Sequence, residues 1–203
     1  MKLATQLMIG ANMAVIGSMV GVFYLHTQEE NSRFEELKTI MSQQIDSVIS
    51  ELHAEEKLAI EAVAKIEYEK QLTCLAKNVY HEASVDGEQG KRAIAWATIN
   101  RVYHEDYPDT ICDVVYQAER DEDGNPIRDK CQYSWYCDGK PDTIDSEVMW
   151  SRSLAIAADV LAKYGKETDP TNGSIMYHAH YVTPFWVTDY DEQVRIDSHI
   201  FYN

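Results

Sequence analysis

The sequence predicts an α+β fold, because helical periodicity dominates up to about residue 163 and β-rich runs close the chain. Leu72, Leu75, Ala76, Val79, Tyr80 and Ala83 recur at the three- and four-residue steps of one helical face. The stretches "SIMYHAHYV" (174–182) and "VRIDSHIFY" (194–202) are rich in β-branched and aromatic residues. Two further segments precede this domain, and the chain divides into residues 1–27, 28–71 and 72–203.

From Leu3 to Leu25 the run "LATQLMIGANMAVIGSMVGVFYL" carries no charge. It is long enough for a transmembrane helix, which needs roughly 20 residues to cross the hydrocarbon core. Lys2 precedes it and Glu29 and Glu30 follow, which predicts a cytoplasmic N-terminus and a domain in the periplasm or cell-wall compartment. Phe23, Tyr24, Leu25 and His26 offer no small-x-small cleavage site, so residues 3–25 read as an uncleaved signal anchor in the inner membrane. Thr5, Gln6, Asn12, Ser18 and the glycines at 10, 17 and 21 dilute the span, which would suit an anchor able to leave the bilayer.

Neither Pro nor Gly occurs from Gln28 to Lys70, and Glu, Lys, Gln and Ala dominate. Phe34, Met41, Val48 and Ala62 fit one heptad seam position, and Ile45, Leu52, Ala59 and Ile66 the other. Lys38 and Glu55 interrupt the seam. A coiled-coil homodimer and a single solvated helix both fit, and either is a stalk of about 60 Å for about 40 residues at 1.5 Å each.

The globular part opens with the helix that brings Glu82 to its margin, inside "NVYHEAS" (78–84). The polar turn "SVDGEQG" (84–90) leads to "RAIAWATINRV" (92–102), apolar enough to be buried on most sides, with Trp96 as core. Asn100 and Arg101 close that helix, and Arg101 reads as a loop tie or the partner of an acid. "DEDGNP" (121–126) is a loop by its turn chemistry. A further helix covers about residues 146–163 and stops at Gly165, and "PFWV" (184–187) separates the two β-rich runs.

Composition excludes one large class of partner. The chain has 18 basic against 34 acidic residues, a net charge of −16, with no basic stripe, so nucleic acid is not a partner. Four cysteines (Cys74, Cys112, Cys131, Cys137) form no CxxC pair and allow three pairings if all are bridged. Cys112, Cys131 and Cys137 share one loop-rich stretch, so one bridge among them is expected in an exported domain, with Cys74 joining the fourth cysteine.

A set of short blocks is recognisable together. "YHEA" (80–83), Gly90, "AIA" (93–95) and "INRV" (99–102) resemble the opening signature of the SleB/CwlJ-type cell-wall hydrolase family. "YPDTIC" (107–112), "CQYSW" (131–135) and "CDG" (137–139) resemble its middle blocks. "DPTNGSIMYH" (169–178), "PFW" (184–186) and "HIFY" (199–202) resemble its closing block. The resemblance covers about residues 72–203 and departs where the family carries Arg-Gly-Glu and this chain has Ser84-Val85-Asp86. It implies a lysozyme-like or lytic-transglycosylase-like helical lobe with a small antiparallel sheet. The implied substrate is the peptidoglycan glycan strand and no cofactor is implied. Glu82 falls on the family's catalytic glutamate.

Cleaving a β-1,4 glycosidic bond requires protonation of the leaving oxygen, which a carboxylic acid does near neutral pH when burial raises its pKa. Asp86, one helical turn on if the helix persists, is the candidate second acid, although a transglycosylase needs none. Gln132, Tyr133, Ser134 and Trp135 form one candidate substrate wall, and Tyr177, His178 and Trp186 another. Two alternatives stand beside this reading. His178 and His180, two apart on a strand and joined by His81 or His199, would make a zinc-dependent wall amidase or peptidase. The other is a non-catalytic, membrane-anchored glycan-binding protein. An anchor, a stalk and one catalytic domain would also suit an endolysin-like lysis enzyme.

Overall fold

In the computed structural model the backbone is described for residues 2–203 and the side chains for residues 16–203. The chain divides into two compact units, Met1–Ala62 and Val63–Asn203, and one helix, α1 (Lys2–Glu82), contributes to both.

In the first unit α1 is sustained by helix-forming residues and by exposed i,i+4 pairs such as Arg33–Glu29 (2.7 Å) and Lys57–Glu61 (3.9 Å). Phe34, Met41, Ile45, Val48 and Leu52 are exposed. Much of the expected span, residues 3–15, lies outside the described side chains. Among the described residues no helix is long and apolar enough to cross a membrane.

The second unit is built around the last turns of α1. Leu75, Ala76, Val79 and Ala83 are fully buried in one core with Ala93, Ile94, Ala95 and Ala97 of α2 (Glu88–Val102). The small residues Ala93, Ala95 and Ala97 let neighbouring elements approach α2 closely, and its middle, 93–99, is buried on all sides. A short α3 (Ile111–Val115) and α4 (Glu147–Lys163) pack against α2. Ser146 caps α4 by accepting from Met149 N–H, and Gly165 takes the left-handed backbone just past the helix (φ 72°).

Between α3 and α4 an antiparallel hairpin, β1 (Ala118–Arg120) and β2 (Pro126–Cys131), flanks the "DEDGNP" turn, with a 3₁₀ turn at Ser134–Tyr136 after it. Neither this hairpin nor the five-residue α3 is among the elements expected from the sequence. The β-rich tail forms a three-stranded antiparallel sheet in the order β3 (Met176–Ala179), β5 (His199–Tyr202), β4 (Glu192–Ile196). The second tail run is thus two strands joined at Asp197–Ser198, and "PFWV" falls mainly in a 3₁₀ helix (Phe185–Asp189). Phe201 on the central strand is fully buried.

Two disulfides hold this unit, Cys74–Cys112 between α1 and α3 and Cys131–Cys137 around the 3₁₀ turn. A buried polar network adds a third tie. Asn78 Nδ2 donates to Thr98 Oγ1 (3.0 Å), Tyr133 O–H donates to the same oxygen (3.1 Å), and Trp135 Nε1 donates to Asn78 Oδ1 (3.0 Å). Each partner is satisfied, so the network fixes the 133–135 segment against α1 and α2 without leaving an orphaned polar atom.

Candidate active site

Glu82 is the last residue of α1, and the turn after it is held by a buried cation. Lys91 Nζ on α2 donates to Ala83 O (2.6 Å), Asp86 O (2.5 Å) and, at 3.4 Å, Ser84 O. A helix end leaves carbonyls without partners, and here an ammonium from the next helix takes them up. Lys91→Met should lower stability by about 3 kcal/mol in urea denaturation, because buried acceptors lose a charged donor.

Asp86 lies beyond the helix and corrects the expectation of a second acid. Its side chain is 2% exposed, and both oxygens are occupied. Ser198 Oγ donates to Oδ1, and His199 Nδ1 lies 2.9 Å from Oδ2. The turn that ends α1 at Glu82 removes the helical register that would have set the two carboxylates together. This trio ties the Glu82 loop to the sheet. Ser198 Oγ also lies 3.2 Å from His199 Nδ1, but the serine proton goes to Asp86 and the same nitrogen faces that carboxylate, so that nitrogen is not free to activate a nucleophile. Gly90 belongs to the same knot, because a Cβ there would lie 2.8 Å from carboxylate oxygens of Asp86 and Asp197. Asp86→Asn should therefore lower the melting temperature, by about 1–3 kcal/mol in stability, and leave kcat within a few-fold. Loss of turnover without loss of stability would restore Asp86 as an acid.

Glu82 itself opens onto a cleft of about 240 Å³ that it lines with Arg101, Gln132, Tyr133, Ser134, Tyr177 and Trp186, beside Cys131 and Met176. Among the described residues lining it, Glu82 is the only carboxylate. The side chain keeps a window to solvent but is densely surrounded by protein, and this desolvation raises its pKa above the ordinary value of 4.5. Tyr177 O–H donates to Oε2 at 3.2 Å and the charge of Arg101 acts nearby; both oppose the rise without cancelling it. Burial holds the Tyr177 hydroxyl well above its usual range, so it stays a donor. With Oε2 engaged, the proton of neutral Glu82 belongs on Oε1.

The two expected walls are each only partly right. Gln132, Tyr133, Ser134, Tyr177 and Trp186 converge on the cleft. Trp135 does not: it is 8% exposed, stacks on His81 (ring centroids 4.5 Å apart) and spends its N–H on Asn78. His178 is also buried, with Nε2 2.9 Å from Tyr202 O–H and Nδ1 2.9 Å from Ala179 O. The paired-histidine expectation fails on geometry, since β3 ends at Ala179 and leaves His180 outside the strand, with its own Nδ1 against Ser198 O. Among the described residues no group of three His, Cys, Asp or Glu side chains could hold a metal.

Arg101 also lines the cleft, and it is the loop tie beside an acid that its place at the end of α2 led one to expect. It is 3% exposed, donates Nε–H to Ile175 O (2.7 Å) and lies 4.9–5.5 Å from the ring centroids of Tyr133, Tyr177 and Tyr107. A larger cavity of about 520 Å³, lined by residues such as Lys91, Arg92, Arg152 and Asp159, is less suited to catalysis. Several of its charges are already engaged: Arg92 pairs with Asp159 and Glu88, and Lys91 with the α1 end.

The profile of the cell wall hydrolase family (Hydrolase_2) matches residues 85–202. The chain belongs to the cell wall hydrolase family. The match begins three residues after Glu82, so the role of that residue rests on the cleft geometry and on the "YHEA" resemblance. No curated protein matches the chain. Among solved structures, this cell wall hydrolase is similar to the catalytic domain of the Bacillus cereus SleB protein, with a TM-score of 0.51 and 20% identity over 66% of this chain and 91% of that one. It is also similar to the catalytic domain of the germination-specific lytic transglycosylase SleB from Bacillus anthracis, with a TM-score of 0.49 and 21% identity over 66% and 93%. At this identity the first likeness shows a SleB-like fold.

Proposed function

We propose that this cell wall hydrolase cleaves the β-1,4 glycosidic bond of the peptidoglycan glycan strand, with Glu82 as acid and then base, as a lytic transglycosylase. The observation that carries the reading is a lone, desolvated carboxyl at the edge of an open cleft walled by aromatic, amide and hydroxyl groups. Oε1–H protonates the glycosidic oxygen as the bond from that oxygen to the anomeric carbon breaks. The Glu82 carboxylate then takes the proton of the sugar's own 6-hydroxyl, whose oxygen closes on the anomeric carbon. Classical two-carboxylate glycosidases place a second acid about 5 Å or about 6.5–9.5 Å away. No such partner lines this cleft among the described residues, which favours the one-acid scheme.

The mass of the released muropeptides tests this. An anhydro product, lighter by one water than the reducing sugar, is expected. A reducing end would mean that water rather than the 6-hydroxyl attacks.

The setting belongs to the same proposal. Residues 3–25 anchor the protein in the inner membrane with the catalytic unit in the cell-wall compartment, and the two disulfides support an oxidising location. The exposed apolar residues of the stalk, Phe34, Met41, Ile45, Val48 and Leu52, support pairing with a second copy. A lysis role fits this arrangement.

A further inference from the structure

Arg101 poses a problem that the acid–base scheme leaves unsolved. Its guanidinium is almost fully buried; Nε–H donates to Ile175 O and the Tyr133 hydroxyl also hydrogen-bonds the group, yet Nη1 has no acceptor within the described residues. The tyrosine rings around it offer π faces, which attract a cation but do not neutralise it. A buried charge without a counter-ion is costly, and Glu82 cannot supply one while it holds its proton. When the site is ready to react, the cleft therefore carries an uncompensated positive charge beside the acid.

We propose that Arg101 receives the carboxyl oxygen of the lactyl side chain on the muramic sugar, and so makes the cleft selective for muramyl glycan over chitin-like glycan. The inference rests on the glycan-cleaving function proposed above and extends it to one substrate group. Along such a strand the hydroxyl, acetamido and ether oxygens occur on both kinds of sugar. The lactyl group alone brings a carboxyl, which is ionised where the stem peptide has been removed and is an amide carbonyl where it remains. A guanidinium held in place by Ile175 O and three rings is well suited to donate to such an oxygen, because little side-chain freedom is left to lose. A lactyl carboxylate paired with Arg101 would also remove the charge that draws the proton from Glu82, coupling recognition of the correct sugar to readiness of the acid.

The test uses the full chain carrying Glu82→Gln, so that binding is read without turnover, and calorimetry with two defined tetrasaccharides. One is a stem-free tetrasaccharide of alternating N-acetylglucosamine and N-acetylmuramic acid; the other is chitotetraose, which lacks the lactyl groups. The muramyl ligand should bind about tenfold or more tightly, as a charged hydrogen bond in a dry site allows. Adding Arg101→Met should bring the ratio to about unity, and adding Arg101→Lys should restore part of it. A ligand-side arm needs no change at Arg101: converting the lactyl carboxylates to amides should cost most of the preference. Equal and measurable binding of the two tetrasaccharides would overturn the role of Arg101 and leave the glycan-cleaving function standing. So would a ratio unchanged in an Arg101→Met protein that keeps its melting temperature. Binding of neither ligand would overturn both.

Discussion

Glu82→Gln should abolish release of fragments from purified sacculi, with a loss of about 10²–10⁴-fold, the usual contribution of a positioned proton donor. Glutamine keeps the volume and can still accept from Tyr177, but it has no acidic proton for the leaving oxygen. The substitution should leave the fold intact and raise its stability at neutral pH. The sign follows from linkage: a carboxyl whose folded-state pKa lies above its ordinary 4.5 favours the folded state at low pH, and that contribution is lost as pH rises through the raised value. Melting curves from pH 4 to pH 8 should show the parent falling behind Glu82→Gln across that window. Parent activity should decline with rising pH over the same range, because only the protonated acid can donate. A Glu82→Gln protein that is inactive because it is unfolded would fail the stability half of this expectation.

The second large effect is structural. Removing the Cys74–Cys112 bridge by replacing both residues with alanine should lower stability by about 4 kcal/mol, the chain-entropy value for a loop of 38 residues. The bridge joins the final part of α1 to α3, and Cys112 N–H donates to Gln71 Oε1 at 2.9 Å beside it. Because the same end of α1 delivers Glu82, activity should fall together with stability, well below the temperature at which the parent unfolds. A urea midpoint that scarcely moves would mean that the core around Leu75 and Val79 holds the helix end unaided.

The residues that decide these effects differ in how openly the sequence declares them. The Glu82 helix and α2 were legible because burial imposes a 3.6-residue period on long segments, and Ser146 and Gly165 framed α4. The β1–β2 hairpin was not, since three and six mostly exposed residues carry no periodic apolar signal. Asp86 depended on a condition that fails: it would meet Glu82 only if the helix persisted through the polar turn, and Lys91 holds the end of α1 by taking up the carbonyls of that turn. That contact comes from another helix and leaves no local trace. Tyr133 and Trp135 lie two residues apart with the same aromatic character, yet only Tyr133 lines the cleft, because Asn78 draws the indole into the core. The sheet histidines looked like ligands by spacing alone, but the end of β3 at Ala179 separates them.

The central claim is that Glu82 holds its proton at a pH where an ordinary glutamate has lost it. Titrating the side-chain carboxyl carbons of ¹³C-glutamate-labelled protein by NMR, with Glu82→Gln to assign the signal, measures this directly. The account predicts a Glu82 midpoint clearly above 4.5. A midpoint at or below that value would contradict it.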